Sequence, residues 1–464
     1  MMLLSDAAKT LHAHMEGADV QFTAVSTDTR TITRGDLFIA LRGEKFDGAR
    51  FVADALKAGA IAAVVNASSR EQLVQNLKFE SSILYVEDTR LALGKLAAHW
   101  RSQFDIPLVA ITGSNGKTTV KEMLAAILRG ATGDQGSVLA TEGNFNNDIG
   151  MPLTLLKLRA THRYAVIEMG MNHPKEIDYL THIAHPDVAL VNNASGAHLQ
   201  GLGSVEGVAR AKGEIFAGLK RDGFAVINAD DTHASLWRSL AGKHQVRDFS
   251  LAHPASVQGK WIAQGYGGEL QAQTSVGKLR VVLQVPGEHN ARNALAAATA
   301  ALALHIPLTT VSKALEGFGG VSGRLQRKQA LHGATLIDDT YNANPASMHA
   351  ALDVLAQSAG KRIFVLGDMG ELGADAAQFH REIGIAARES GIEKMLALGT
   401  LSAEAVREFG TGAQHFADIE TLQTALQDQL DDQTTVLVKG SRFMKMERVV
   451  QFVALHKEKA CCLH

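Results

Sequence analysis

At 464 residues the chain exceeds one ordinary core, and a prior of roughly 100–200 residues per domain gives two to four domains, of which three are expected. With 46% hydrophobic and 20% charged residues it has the profile of a globular protein, which excludes a disordered chain. A formal net charge of -2 excludes a broad basic footprint for nucleic acid or anionic membrane, so any phosphate must be held by a local device and the partners are expected to be small molecules.

The apolar stretch within residues 1–17 is broken by Asp6, Lys9 and Glu16, unlike a secretory signal, and no later run reaches membrane-spanning length. Cys461 and Cys462 stand adjacent and suit neither a disulfide framework nor a zinc site; a reducing cytoplasm is the expected compartment. A helix over 4–14, a polar turn-rich stretch at 26–34 and apolar runs at 36–41 and 60–65 describe a small α/β domain, expected over 1–84. From 85 to 316, apolar strands at 108–112, 165–168, 188–192 and 224–228 alternate with helical segments, which predicts βαβ units and a parallel sheet covered on both faces. Residues 257–285, rich in β-formers and carrying Gly265, Gly267 and Gly268, read as an antiparallel addition, followed by an Ala-rich helix over 291–304. The glycines of 317–323 mark a flexible connection and a hinge. Beyond it, strands at 335–338, 363–367, 395–399 and 435–439 separated by helices predict a Rossmann-like third domain over 317–464.

The chemistry starts at Gly113-Ser114-Asn115-Gly116-Lys117-Thr118-Thr119, between the strand pattern 108–112 and the helix pattern 120–128. Only at such a turn can successive N–H groups and a helix N-terminus cradle phosphate, so the central domain is expected to be a P-loop ATPase-type sheet binding ATP. Gly113 and Gly116 allow close approach, Lys117 supplies charge for the β- and γ-phosphates, and the Thr118 hydroxyl suits Mg²⁺. The loop departs from the common form, because Ile111 stands where the first glycine belongs.

Glu168 ends a strand and puts a carboxylate at the sheet's C-terminal edge, where a metal could sit beside the phosphates; a solvated strand-end Glu is the plainer reading. His198 follows the strand 188–192 in a polar loop and could be a ligand or merely solvated. Lys212, in a helix pattern over 208–219 with Glu206, Arg210 and Glu214, reads from pattern alone as a surface charge. Asn290 and Asn293 present amides one turn apart, with simple helix capping by Asn290 as the alternative. Arg324 follows the glycine linker. Asp338 to Pro345 closes a strand with polar groups that suit a ribose or substrate, or a capped turn before the helix 346–357.

Together these stretches resemble the Mur ligase family along nearly the whole chain: TGSNGKTT at 112–119, GNFNNDIGMP at 143–152, Glu168, His198, AKGEIF at 211–216, GEHNARNA at 287–294 and DDTYNANP at 338–345. The stretch 26–51, STDTR through GDLFIALRGEKFDGARF, resembles that family's UDP-sugar-binding domain, and LGDMGELG at 366–373 with KGSRFMKME at 439–447 resembles the members that add D-alanyl-D-alanine to UDP-N-acetylmuramoyl-tripeptide. The Asp-Asn-Pro-Arg motif of members adding diaminopimelate is absent, as is the Asn-Lys-x-Asp motif of a GTPase, and folate-extending relatives lack the N-terminal module.

The resemblance implies three α/β domains and an ATP- and Mg²⁺-dependent ligase of peptidoglycan precursor synthesis that works through an acyl phosphate, here expected to be a monomer. It implies Lys117, Glu168, His198 and Lys212 as catalytic residues. Thr118, Glu168, His198 and Lys212 become metal-site residues, Lys212 as a carbamate. It further implies Asn290, Asn293, Arg324 and Asp339 beside the loop as nucleotide contacts. Ser26, Arg30, Asp47, Asn144, Asn146, Asn147, Tyr341 and Asn344 are implied as substrate contacts.

Overall fold

The structure is a computed structural model describing residues 1–43, 46–71, 73, 81–196 and 199–455. Three β-sheet domains follow one another along the chain. The first is a five-stranded sheet in the order His14–Glu16, Ser82–Val86, Ala62–Asn66, Asp36–Ile39, Ala24–Ser26, parallel apart from its first strand. Its strand Ser82–Val86 is buried throughout, so the expected break at 84 falls inside a strand. The first helix is Leu4–Leu11, shorter than expected because His12 turns into the left-handed region and the chain resumes as a strand. Asp88 then caps the connecting helix Thr89–Arg101, its carboxylate accepting the N–H groups of Arg90 and Leu91.

The central sheet has nine strands in the order Gly277–Leu283, Gly267–Thr274, Val257–Gln264, Gln245–Ser250, Phe224–Asn228, Val188–Val191, Leu108–Thr112, Tyr164–Glu168, Val138–Ala140. The strands from Val257–Gln264 onward pair in parallel, and the two outer hairpin strands are antiparallel, as the glycine-punctuated stretch predicts. Every residue of Leu108–Thr112 is buried. Leu108 and Ala110 join the hydrophobic core on one face and Val109 and Ile111 that on the other, which is why the strand is apolar without alternation. Against the second face lie the loop's helix Lys117–Thr132 and the Ala-rich helix, which begins at Glu288 and runs to Ala303. Its small side chains allow close approach and leave it buried on most sides.

The third sheet has the order Gln326–Gln329, Thr335–Asp339, Thr434–Lys439, Lys361–Gly367, Lys394–Leu398, Ala413–Phe416, parallel except at its first, polar strand. Residues 317–323 connect it to the helix Leu308–Glu316. Among the described residues no helix is long and apolar enough to cross a membrane.

Candidate active site

The strand Leu108–Thr112 delivers the chain into a tight turn, and the helix Lys117–Thr132 starts from Gly116 in the left-handed region at φ +79°. A Cβ at Gly116 would run into the side-chain amides of Asn293 and Asn192, so only glycine fits. Gly116→Ala is therefore expected to cost about 1–3 kcal/mol of stability and to remove stabilisation by ATP, read from thermal unfolding with and without the nucleotide.

The loop is pinned to the segment after the neighbouring strand Val188–Val191. Ser114 N–H donates to the Asn193 carbonyl at 3.0 Å, Ser195 N–H to Ser114 Oγ at 2.9 Å, and Asn115 N–H to Asn193 Oδ1 at 2.8 Å. The amides of Asn192 and Asn193 both donate to the Asn115 carbonyl at 3.0 Å. Lys117 Nζ donates to the carbonyl of Gly113 at 2.7 Å, closing the turn on itself. Burial lowers the pKa of this ammonium, Glu168 acts in the opposite sense and Arg324 adds to the lowering.

Beside the loop, Thr118 Oγ1 donates to Glu168 Oε2 at 2.9 Å, while Asn146 Nδ2 donates to Glu168 Oε1 at 2.8 Å. Glu168 is 2% exposed, so the carboxylate emerging at the strand end is not a solvated one. A hydroxyl and a carboxylate at the mouth of a phosphate loop form a hard-oxygen donor pair that suits Mg²⁺ shared with a nucleotide. Lys212 overturns the pattern-based reading of a surface charge: the helix Val205–Gly213 turns it inward and it is 1% exposed. The segment expected as helix to 219 tightens into a 3₁₀ turn over Glu214–Gly218. Burial pushes the Lys212 ammonium well below its ordinary range, nearby Lys117 pushes it further, and Glu168 opposes both. His198 lies outside the described residues.

The third domain supplies the opposite wall of a cavity of about 980 Å³. Arg324, its guanidinium 4.1 Å from the Tyr341 ring centroid, donates to Thr118 Oγ1 at 3.1 Å. Asn344 caps the helix Pro345–Ala356 with its Oδ1 and donates from Nδ2 to Asn115 Oδ1 at 2.9 Å. Asp339, also on the cavity, receives Lys439 Nζ at 2.6 Å and the Leu325 N–H at 3.1 Å, which fixes the linker's exit. Asn290 and Asn293 line the cavity as well. Asn290 lies inside its helix rather than capping it, donating to the Pro286 carbonyl at 2.8 Å, while Asn293 Oδ1 accepts from Asn192 Nδ2 at 2.9 Å.

Thus Ser114 to Thr119, Asn144, Asn146, Asn147, Glu168, Asn290, Asn293, Arg324, Asp339, Tyr341 and Asn344 meet around one cleft. Ser26, Arg30 and Asp47 do not line it and sit in the first domain. There Ser26 Oγ donates to the Asp28 carbonyl, and Arg30 forms a forked pair with Asp28 whose carboxyl it holds down at about 2. Asp47 caps the turn Gly48–Phe51. Sequence reasoning missed Asn192 and Asn193, which brace the loop, and Arg90, whose Nη2 donates to Asp148 Oδ1 at 2.8 Å on the cleft wall. Asp148 lies in the asparagine-rich motif, which was the available signal; Arg90 carried none.

Family models match the chain in three consecutive parts: "Mur ligase family, catalytic domain" over 21–101, "Mur ligase middle domain" over 111–301 and "Mur ligase, glutamate ligase domain" over 323–442. The UDP-N-acetylmuramoyl-tripeptide--D-alanyl-D-alanine ligase of Escherichia coli (strain K12) is 43% identical across 99% of both chains, and that of Haemophilus influenzae is 41% identical across 98% of both. Among solved structures, MurF from Acinetobacter baumannii superposes with a TM-score of 0.87 at 36% identity, covering 96% of this chain and 97% of that one. MurF ligase from Thermotoga maritima in complex with ADP gives 0.79 at 26% identity, covering 93% and 97%. With its phosphate loop, its buried acid and its third domain meeting on one cleft, the chain belongs to the Mur ligase family.

Proposed function

We infer that the chain catalyses ATP-dependent amide-bond formation between UDP-N-acetylmuramoyl-tripeptide and D-alanyl-D-alanine in peptidoglycan precursor synthesis. The observation that carries this reading is the convergence on Thr118: Glu168 of the central sheet and Arg324 of the third domain both bond its hydroxyl. Phosphate loop, acid and the third-domain wall therefore bear on one point.

A carboxylate does not acylate an amine at neutral pH, because its leaving group would be oxide. Attack of the acceptor's terminal carboxylate oxygen on the γ-phosphorus of ATP expels ADP and gives an acyl phosphate, whose phosphate is a competent leaving group. The loop N–H groups and Lys117 spread the charge on the transferring phosphoryl group. The dipeptide amine then attacks the acyl carbon; the tetrahedral intermediate loses a proton from nitrogen and expels phosphate. Mg²⁺, held by Thr118 and Glu168 with His198 and Lys212 as further candidates, would supply charge neutralisation on the β- and γ-phosphates. Asn290, Asn293, Arg324 and Asp339 line the nucleotide side in this reading. Asn144, Asn146, Asn147, Tyr341 and Asn344 face the reacting ends of acceptor and amine. Ser26, Arg30 and Asp47 hold the uridine nucleotide in the first domain, away from the chemistry. The enzyme is read as a cytoplasmic monomer, where ATP and soluble precursors are at hand.

The test is a coupled phosphate-release assay. Release is expected only when ATP, UDP-N-acetylmuramoyl-tripeptide and D-alanyl-D-alanine are all present, with a single amino acid as a poor substitute for the dipeptide. Turnover of ATP without acceptor and amine would point to a nucleotide switch, and preference for a single amino acid would move the chain to another member of the family.

A further inference from the structure

Lys121 lies one turn beyond Lys117 on the same helix, yet it is 2% exposed and is not among the residues lining the cleft. Its Nζ donates to the Thr141 carbonyl at 2.6 Å, in a buried contact, and to Glu122 Oε1 at 2.5 Å. Taking an ammonium out of water is unfavourable, and an apolar side chain of similar length would fill the space without that penalty. The charge therefore marks a geometry that it fixes.

That geometry is the start of the asparagine-rich loop. Thr141 follows the edge strand Val138–Ala140 and is 1% exposed. Its N–H donates to the Val166 carbonyl at 3.0 Å, and its hydroxyl accepts the N–H of Glu168 at 2.9 Å. Lys121 thus holds the carbonyl of the residue that orients the Glu168 backbone. From Thr141 the chain runs through Asn144, Asn146, Asn147 and Asp148, all on the cleft wall. Asn146 returns to the same acid: its amide donates to Glu168 Oε1 at 2.8 Å and its carbonyl accepts the Gly170 N–H at 2.8 Å. Asp148 continues the line to Arg90 on the helix leading from the first domain.

We propose that Lys121 is a positioning residue for the acceptor: acting through Thr141, it locks the 141–148 wall in one register with the phosphate-loop helix, while the Glu168 carboxylate keeps its own bond from Thr118. The proposal rests on the ligase reading above. It separates Lys121 from its neighbour Lys117, because Lys121 touches no phosphate and its loss should be felt by the acceptor rather than by the nucleotide.

Steady-state kinetics of the full chain test it, with acceptor and ATP varied in turn. Lys121→Met is expected to lower kcat/KM for UDP-N-acetylmuramoyl-tripeptide by roughly 10–100-fold. The KM for ATP should stay within about threefold and the thermal midpoint within about 5 °C. Thr141→Val, which unties the wall from the backbone N–H of the neighbouring strand but keeps the carbonyl that Lys121 reaches, should give the same selective defect. Because both residues act through one loop, the double variant should lose little more than the worse single one. An unchanged acceptor kcat/KM in Lys121→Met, equal losses toward ATP and acceptor, or additive losses in the double variant would each overturn the proposal. If Lys121→Met does not fold, Thr141→Val decides alone, and an acceptor response like the parent's overturns it. Failure of the parent chain to form product would instead reject the ligase reading.

Discussion

Lys117→Ala is expected to lower kcat by roughly a thousandfold, about 4 kcal/mol of transition-state stabilisation. The magnitude follows from what the ammonium can do in this turn. It is held over the loop's own carbonyls at Gly113, 2.7 Å away, in surroundings that already disfavour its charge. A triphosphate brings anionic oxygens to that position, and they stabilise the ammonium where the dipoles of the carbonyls do so only in part. Charge that shifts toward the β–γ bridge in the transition state is met at short range with little water to screen it. The measurement is single-turnover formation of ADP with both co-substrates present, alongside thermal unfolding to show that the variant is folded. A variant within tenfold of the parent would sink the assignment of this loop to phosphoryl transfer.

The second large effect is expected at Lys212. Its burial and the neighbouring Lys117 both favour the neutral amine, and a neutral amine is the form that adds to carbon dioxide, losing a proton to leave a carbamate anion. The modification would turn repulsion between two lysines into attraction, and would place a second anionic oxygen group near Glu168. Lys212→Ala should lose at least about a hundredfold in kcat if the carbamate holds Mg²⁺ beside Thr118 and Glu168, as proposed above. Formate or acetate, small enough to enter the space left behind, should restore part of the loss as their concentration rises. Full activity in the variant, or a loss that no short carboxylic acid relieves, would reject the carbamate. A lysine needed only for packing would show the loss without the rescue.

Much of this architecture was legible because the chain uses parallel strands buried on both faces. Leu108–Thr112, Val188–Val191 and, up to its final lysine, Thr434–Lys439 are unbroken apolar or β-branched runs, and the phosphate loop identifies itself by standing between such a run and a helix. The polar edge strand Gln326–Gln329 was not legible, since an edge exposed to water needs no apolar pattern and its pairing comes from the neighbouring strand. Lys212 was unreadable for a related reason. Its helix carries Glu206, Arg210 and Glu214 as a surface helix would, and only the tertiary placement of Glu168, which opposes the burial penalty and the repulsion from Lys117, eases the inward turn. The bracing of the loop by Asn192 and Asn193, and the pairing of Arg90 with Asp148 across 58 positions, depend on which strands become neighbours in the sheet, which short-range patterns do not encode.

The side chain of Asn344 serves two masters. One end of its amide belongs to the start of a helix in the third domain, and the other belongs to the nucleotide loop through Asn115. Seating of that domain and the state of the loop are therefore one equilibrium rather than two. By thermodynamic reciprocity, whatever factor the docked domain contributes to holding a nucleotide, the nucleotide returns to the docking. If the glycine connection of 317–323 acts as the hinge its sequence suggests, it would set how far the domain swings and the occupant of the loop how often.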